Sequence, residues 1–162
     1  MLKAIETVYN GYRFRSRLEA RWAVFFDALG IEYRYEPEGF DLGNGVYYLP
    51  DFWLPTGEVW IEVKGSEPID EEISKATRLA QQGDHPVAIF WGGFTMVGQW
   101  DVFYCCKDED GVFWSHTNKG VWEILTGTSS EWGKERLGAA NIAARHARFE
   151  HDERQVTCQT IS

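Results

Sequence analysis

Positive charge is in short supply in this sequence: 16 lysines and arginines face 25 aspartates and glutamates, a formal net charge of −9. That balance excludes a protein coated in basic charge to bind nucleic acid over its whole surface. Cysteine is scarce too, at three, with Cys105 and Cys106 adjacent and Cys158 near the end. An odd number at that spacing fits neither a disulfide framework nor a zinc-ligand set, so a reducing cytoplasm is the expected setting. No apolar run approaches the ~20 residues of a membrane span. The first ten residues, MLKAIETVYN, lack a signal-peptide core, and no membrane partner is expected. Internal repeats, low-complexity tracts and linkers are missing as well.

What the sequence does have is apolar and aromatic bulk. Of its 162 residues 44% are hydrophobic, and eight Trp, seven Tyr and ten Phe make up an aromatic share of 15%. One packed domain is expected over residues 1–150, followed by a polar, flexible tail over 151–162. The densest stretch runs from Tyr47 to Gly65, YYLPDFWLPTGEVWIEVKG. Tyr47 to Leu54 and Glu58 to Lys64 read as strands, joined by turn chemistry at Pro55-Thr56-Gly57. Counting outward from the turn pairs Leu54 with Val59, Phe52 with Ile61 and Asp51 with Glu62. Alternation puts Glu62 and Lys64 on one face and Val59, Ile61 and Val63 on the other. Two carboxylates opposed at ~5 Å repel each other. A cation between them reverses the sign, so Asp51 and Glu62 are candidate metal ligands.

Around this hairpin the pattern alternates between helix and strand. Residues 1–12 read as an irregular or short extended lead-in. Ser16 to Leu29 is helical, with Leu18, Trp22, Phe25, Phe26 and Leu29 on one side and Gly30 as the stop. Glu19 falls at the edge of that apolar stripe, where it needs a partner, either Arg15 one turn before it or a metal. Ile31 to Tyr35 reads as a strand and Glu36 to Gly45 as an acidic loop. A second helix follows Pro68 and ends at Gly83, with Ile69, Ile73, Ala76 and Ala80 as its buried face and Lys75 and Arg78 outside. Pro86 to Trp91 is an apolar run expected to be a strand buried on both faces. Because a helix intervenes, it should lie parallel to the strand ending at Lys64. Trp100 to Cys106 and Val112 to His116 form a further hairpin, and Glu131 to Phe149 a last helix. Trp91, Trp100, Trp114 and Trp122 sit in strand-like settings that favour core packing over base stacking, and His116 reads as a structural residue beside aromatics.

Pro50-Asp51, ten intervening residues, and then Glu62-Val63-Lys64 resemble the signature of the PD-(D/E)xK nuclease superfamily. The upstream segment Phe14-Arg15-Ser16-Arg17-Leu18-Glu19-Ala20-Arg21-Trp22 is similar to the helix that brings a further glutamate to the site in small, phage-type members. The resemblance covers roughly the first ninety residues. It implies a restriction-endonuclease-like α/β core, a central mixed sheet flanked by helices, extended in this chain by an extra hairpin and a C-terminal helix. It implies a metal-dependent nuclease that hydrolyses DNA phosphodiester bonds in DNA processing, recombination or repair. Asp51, Glu62 and the Val63 backbone carbonyl would hold Mg²⁺, with Mn²⁺ as substitute, since hard oxygen ligands suit those ions. Glu19 would complete the shell or help seat a second ion. Lys64 would orient or deprotonate the attacking water, its pKa lowered near a cation. Arg15 and Arg17, from a segment where four arginines face one acid, and Lys75 would meet DNA phosphates. Both a monomer and a homodimer are compatible with this reading. Two alternatives stand beside it: a catalytically silent DNA-binding domain of the same superfamily, and an acidic interaction protein or DNA mimic, which the charge of −9 favours.

Overall fold

In a computed structural model that describes residues 4–95, 100–107, 112–114 and 120–149, the apolar periodicity resolves into short strands interleaved with helices. Strands β1 (Thr7–Tyr9) and β2 (Tyr12–Phe14) form an antiparallel ribbon. Asn10 and Gly11 turn it with positive φ at both positions, the geometry of a two-residue hairpin. Of the two forms expected for the lead-in, the described residues take the short extended one from Thr7 onward, folded into a hairpin that its Asn-Gly pair marks. Helix α1 (Arg17–Leu29) is capped by Ser16, whose side chain accepts the Glu19 N–H, and stopped by Gly30 in the left-handed region. After it come β3 (Arg34–Tyr35), β4 (Phe40–Asp41), β5 (Tyr47–Tyr48), β6 (Phe52–Leu54) and β7 (Val59–Lys64). Helix α2 (Asp70–Gln82), β8 (Val87–Trp91), β9 (Asp101–Cys105), β10 (Val112–Trp114), α3 (Val121–Thr126) and α4 (Gly133–His146) complete the order.

Six strands make one mixed sheet in the order β10-β9-β8-β7-β6-β3. The hairpin register is as the sequence predicts, Leu54 opposite Val59 and Phe52 opposite Ile61. β7 and β8 run parallel, from Trp60 beside Val87 to Lys64 beside Trp91, and the other pairings in this sheet are antiparallel. The α2 crossover between them explains the direction.

Helices cover both faces. On one, Trp22, Phe25 and Phe26 of α1 and Leu137, Ala140 and Ala144 of α4 pack with Phe52, Leu54, Val59, Ile61, Val63 and Phe90. On the other, Ala76, Leu79 and Ala80 of α2 meet Trp60, Val87, Ile89 and Phe103. The alternation along β7 thus feeds two cores, one on each side of the sheet. α1 and α4 lie antiparallel and cap each other. Arg21 donates to the carbonyls of Ala144 and Arg145 at 2.7 and 2.9 Å, and Arg136 donates to Leu29 O at 2.8 Å. Each guanidinium satisfies the carbonyls left open at the other helix's end.

Several boundaries differ from expectation. Tyr47 to Leu54 is not one strand: Tyr47 and Tyr48 leave the main hairpin to pair with Asp41 and Phe40, within the segment expected to be a loop. Of Ile31 to Tyr35 only the last two residues pair, because Ile31 and Tyr33 are spent on the core. Ile69 is exposed at the start of α2 and is not part of its buried face. The last helix spans 133–146, and the short α3, framed by Gly120 and Gly127, is an element that the apolar pattern does not announce. Trp100 is buried, and Trp91 and Trp122 pack against the cores as expected. His116, the Trp114 side chain, Cys158 and the tail lie outside the described residues. No helix among the described residues is long and apolar enough to cross a membrane.

Candidate metal centre

The end of the β6–β7 hairpin away from its turn opens into a cleft of about 450 Å³. Arg15, Glu19, Tyr48, Asp51, Glu62, Val63, Lys64, Glu72 and Lys75 contribute to its lining. Of the residues expected at the site, all but Arg17 are gathered here; Arg17 opens α1 outside this lining.

Asp51 lies one step beyond the last ladder pair of β6 and β7, opposite Glu62. It is only 3% exposed, and its Oδ2 accepts the Val63 N–H at 2.8 Å. Its Oδ1 takes the Arg15 guanidinium at 3.4 Å. Burial first, then the charges of Glu62 and Glu19, hold the Asp51 pKa well above the ordinary carboxylate range, against the Val63 hydrogen bond and Lys64. Glu62 is buried and shifts upward for the same first reason, moderated by Lys64 and Arg15. Its Oε1 meets Lys64 Nζ at 2.8 Å, while Oε2 is buried with no hydrogen-bond partner. A buried carboxylate oxygen left open is costly, and a ligand that fills it removes that cost.

Lys64 is held by acids on two sides. Burial acts to discharge it, yet Glu62 and Glu72, at 2.8 and 3.0 Å, outweigh burial and raise its pKa above the usual lysine value. It is an ammonium clasped between two carboxylates. The lowering anticipated for it belongs to a site with a cation bound; with the carboxylates alone around it, the shift is upward.

Glu19, partly buried, receives hydrogen bonds from the Ser16 hydroxyl, the Arg15 N–H and the Tyr35 hydroxyl. Its partner from Arg15 is thus the backbone; the Arg15 side chain reaches past it to Glu36 Oε1 at 2.5 Å and to Asp51. That Glu36 contact is a charge contact without an aligned hydrogen bond, and Glu36 Oε1 otherwise has no partner.

Glu36 is a member of the site that no motif in the sequence marks. It precedes Pro37 and sits in the left-handed region at φ 44°, with its N–H on the Asp51 carbonyl at 2.8 Å. This strained position turns its carboxylate inward. Oxygens of Glu19, Glu36 and Asp51 lie within 4.8 Å of one another, a group that takes one acid from the hairpin and does not include Glu62. A glutamate before proline in an acidic loop offers no pattern from which that could be read.

The remaining basic residues are committed differently. Lys75 pairs with Glu71 at 3.3 Å on the cleft wall. Arg78, partly exposed, clamps the Leu42 carbonyl and reaches Gly43 O at 3.4 Å, holding the loop before β5. Arg13 meets Glu6 at 3.3 Å and Arg21 caps α4, so these two of the four early arginines have structural partners.

Every acidic group in the cleft offers oxygen, and with one buried oxygen open the set fits a hard divalent cation better than a transition metal that prefers nitrogen or sulfur. Comparison with family models, with curated proteins and with solved structures gives no match.

Proposed function

We propose that the protein is a metal-dependent nuclease that hydrolyses DNA phosphodiester bonds, built on a restriction-endonuclease-like core. The observation that carries this reading is the buried carboxylate pair Asp51 and Glu62 at the end of the hairpin, with Glu62 Oε2 unpartnered and Lys64 against its other oxygen. Asp51, Glu62 and the Val63 carbonyl hold Mg²⁺ or Mn²⁺, with Glu19 beside them. Such an ion supplies Lewis-acid stabilisation of the charge that develops on phosphorus oxygens and activates water as a nucleophile.

The protein's own groups do the rest. Among the charged lining residues four carboxylates (Glu19, Asp51, Glu62, Glu72) face three cations (Arg15, Lys64, Lys75). That balance repels a phosphate until a divalent charge reverses it, and this meets the objection raised by the net charge of −9. Lys64, an ammonium between Glu62 and Glu72, donates hydrogen bonds and orients the attacking water or, once a cation has taken Glu62, accepts its proton. Arg15 and Lys75 stand at the cleft wall, where each can exchange its carboxylate for a phosphate oxygen.

The test is incubation with single-stranded, double-stranded and branched DNA in Mg²⁺, Mn²⁺ or EDTA. Cleavage of at least one substrate is expected with either metal, and none in EDTA. Full activity in EDTA, or none on any DNA with metal, overturns the reading.

A further inference from the structure

We propose that Tyr48 is the positioning residue of the Glu62 carboxylate: its hydroxyl donates to Glu62 Oε2 and fixes how that carboxylate presents itself to a divalent cation. The inference rests on the metal-dependent reading above and adds to it a residue that neither the hairpin register nor the resemblance assigns.

Alternation along β5 sends Tyr47 outward, 70% exposed, and Tyr48 inward, 8% exposed. The Tyr48 ring packs in the α2-side core with Leu42 and Trp60, yet its hydroxyl is buried without a hydrogen-bond partner and lines the cleft. A phenol is retained over phenylalanine at such a place when something requires its O–H, because an unpartnered buried hydroxyl is unfavourable. The acids around it are Glu62, Asp51 and Glu72; Glu62 acts on it both through its charge and as a side-chain hydrogen-bond partner, the other two through charge alone, so the role open to its O–H is donation to a carboxylate.

Among these acids Glu62 is distinguished by an oxygen that accepts nothing. Asp51 spends Oδ1 on Arg15 and Oδ2 on the Val63 N–H. Glu72 spends Oε1 on Lys64 and Oε2 on the Ile69 N–H. Glu62 spends Oε1 on Lys64 and leaves Oε2 without a partner. Donor and acceptor, neither with a partner at strict hydrogen-bond geometry, belong to residues lining the same cleft, close enough for Glu62 to act on the phenol as a hydrogen-bond partner. A carboxylate oxygen has two lone-pair directions, one for a cation and one for the phenol. Ligating carboxylates are held by such outer hydrogen bonds, and their removal typically weakens metal affinity or activity 10–100-fold.

The experiment is Tyr48→Phe, which deletes one oxygen and keeps the ring. Calorimetric titration with Mn²⁺ should show affinity ~10–100-fold below wild type, with a melting temperature in EDTA equal to wild type or higher. Cleavage should recover towards the wild-type rate once Mn²⁺ saturates the variant. In wild type labelled with ¹³C at tyrosine Cζ, the resonance that Tyr48→Phe deletes should shift on adding Mg²⁺; this readout needs no cleavage. Unchanged Mn²⁺ affinity in a variant whose wild type binds and cleaves overturns the role of Tyr48 alone. A lost rate with unchanged affinity overturns it too, placing the hydroxyl on substrate. If wild type neither binds Mn²⁺ nor cleaves DNA, the nuclease reading fails and this inference falls with it.

Discussion

The two ends of the β6–β7 hairpin are built on opposite principles. At the turn end Leu54 and Val59 are fully buried, and Gly57 is pressed against α3 so closely that a Cβ there would lie 2.6 Å from Leu125 O and 2.9 Å from Ile124 O. The positive φ of this turn is at Glu58, so Gly57 is required for close approach and not for backbone conformation. At the other end Asp51 and Glu62 are buried with raised pKa values, and polar atoms of Glu62 and Tyr48 lack partners. Apolar packing at one end holds in place an electrostatic arrangement at the other that would not persist alone. Local rules are kept at the packed end and broken at the end where the proposed cation would bind.

The largest effect expected from breaking the contrast is at the acidic end. Asp51→Asn should lower DNA cleavage on the order of 10³-fold, since a catalytic ion supplies several kcal/mol. Mg²⁺ at about a hundred times its dissociation constant should stabilise wild type by ~2.7 kcal/mol, or roughly 5–10 °C of melting temperature, and Asp51→Asn should lose most of that gain. Lys64→Ala should lose comparable activity while keeping Mn²⁺ affinity, because removing the ammonium frees Glu62 Oε1. A collapse of affinity in calorimetry would show instead that Lys64 holds the site together.

At the packed end, Gly57→Ala should destabilise by about 1–3 kcal/mol, because its methyl group meets backbone carbonyls of α3 that cannot rotate away. Urea unfolding measures this, and metal affinity per folded molecule should stay as in wild type. Unchanged stability would mean that α3 is not seated on the turn.

A smaller effect follows from proton linkage. Because the folded-state pKa of Asp51 is raised, its contribution to stability is complete below the unfolded value of ~3.9 and is lost as pH climbs through the folded value. In EDTA, the stability of wild type relative to Asp51→Asn should therefore fall from pH 4 to pH 8. At the upper end the asparagine variant should be the more stable, by up to ~1 kcal/mol. A relative stability that rises over that range has the wrong sign for a desolvated, acid-crowded Asp51.

The smallest stability change is expected for Lys75→Ala, since an exposed (i, i+4) pair with Glu71 contributes ~0.3–0.5 kcal/mol. If Lys75 turns to DNA, the slope of log affinity against log salt should flatten by ~0.9. An unchanged slope leaves it a partner of Glu71.

Much of this was legible in the residues. The alternating side-chain direction along β7 and a turn at Pro55-Thr56-Gly57 determined the register that brings Asp51 opposite Glu62, and the α2 crossover determined the parallel β8. Ser16 and Gly30 determined where α1 starts and stops. These are local matters, decided by period, caps and turn chemistry between near neighbours. What only the tertiary structure decided concerns long-range choices among equivalent partners. Arg15 takes Glu36 and Asp51 with its guanidinium and not Glu19, Arg21 goes to the end of α4, and Tyr48 leaves the hairpin for Phe40. Glu36 joins the acids only because a left-handed residue before Pro37 turns inward once β3 has paired with β6. A charged side chain has many candidate partners along a sequence and only a few within reach in space. Packing, which no local pattern encodes, selects among them.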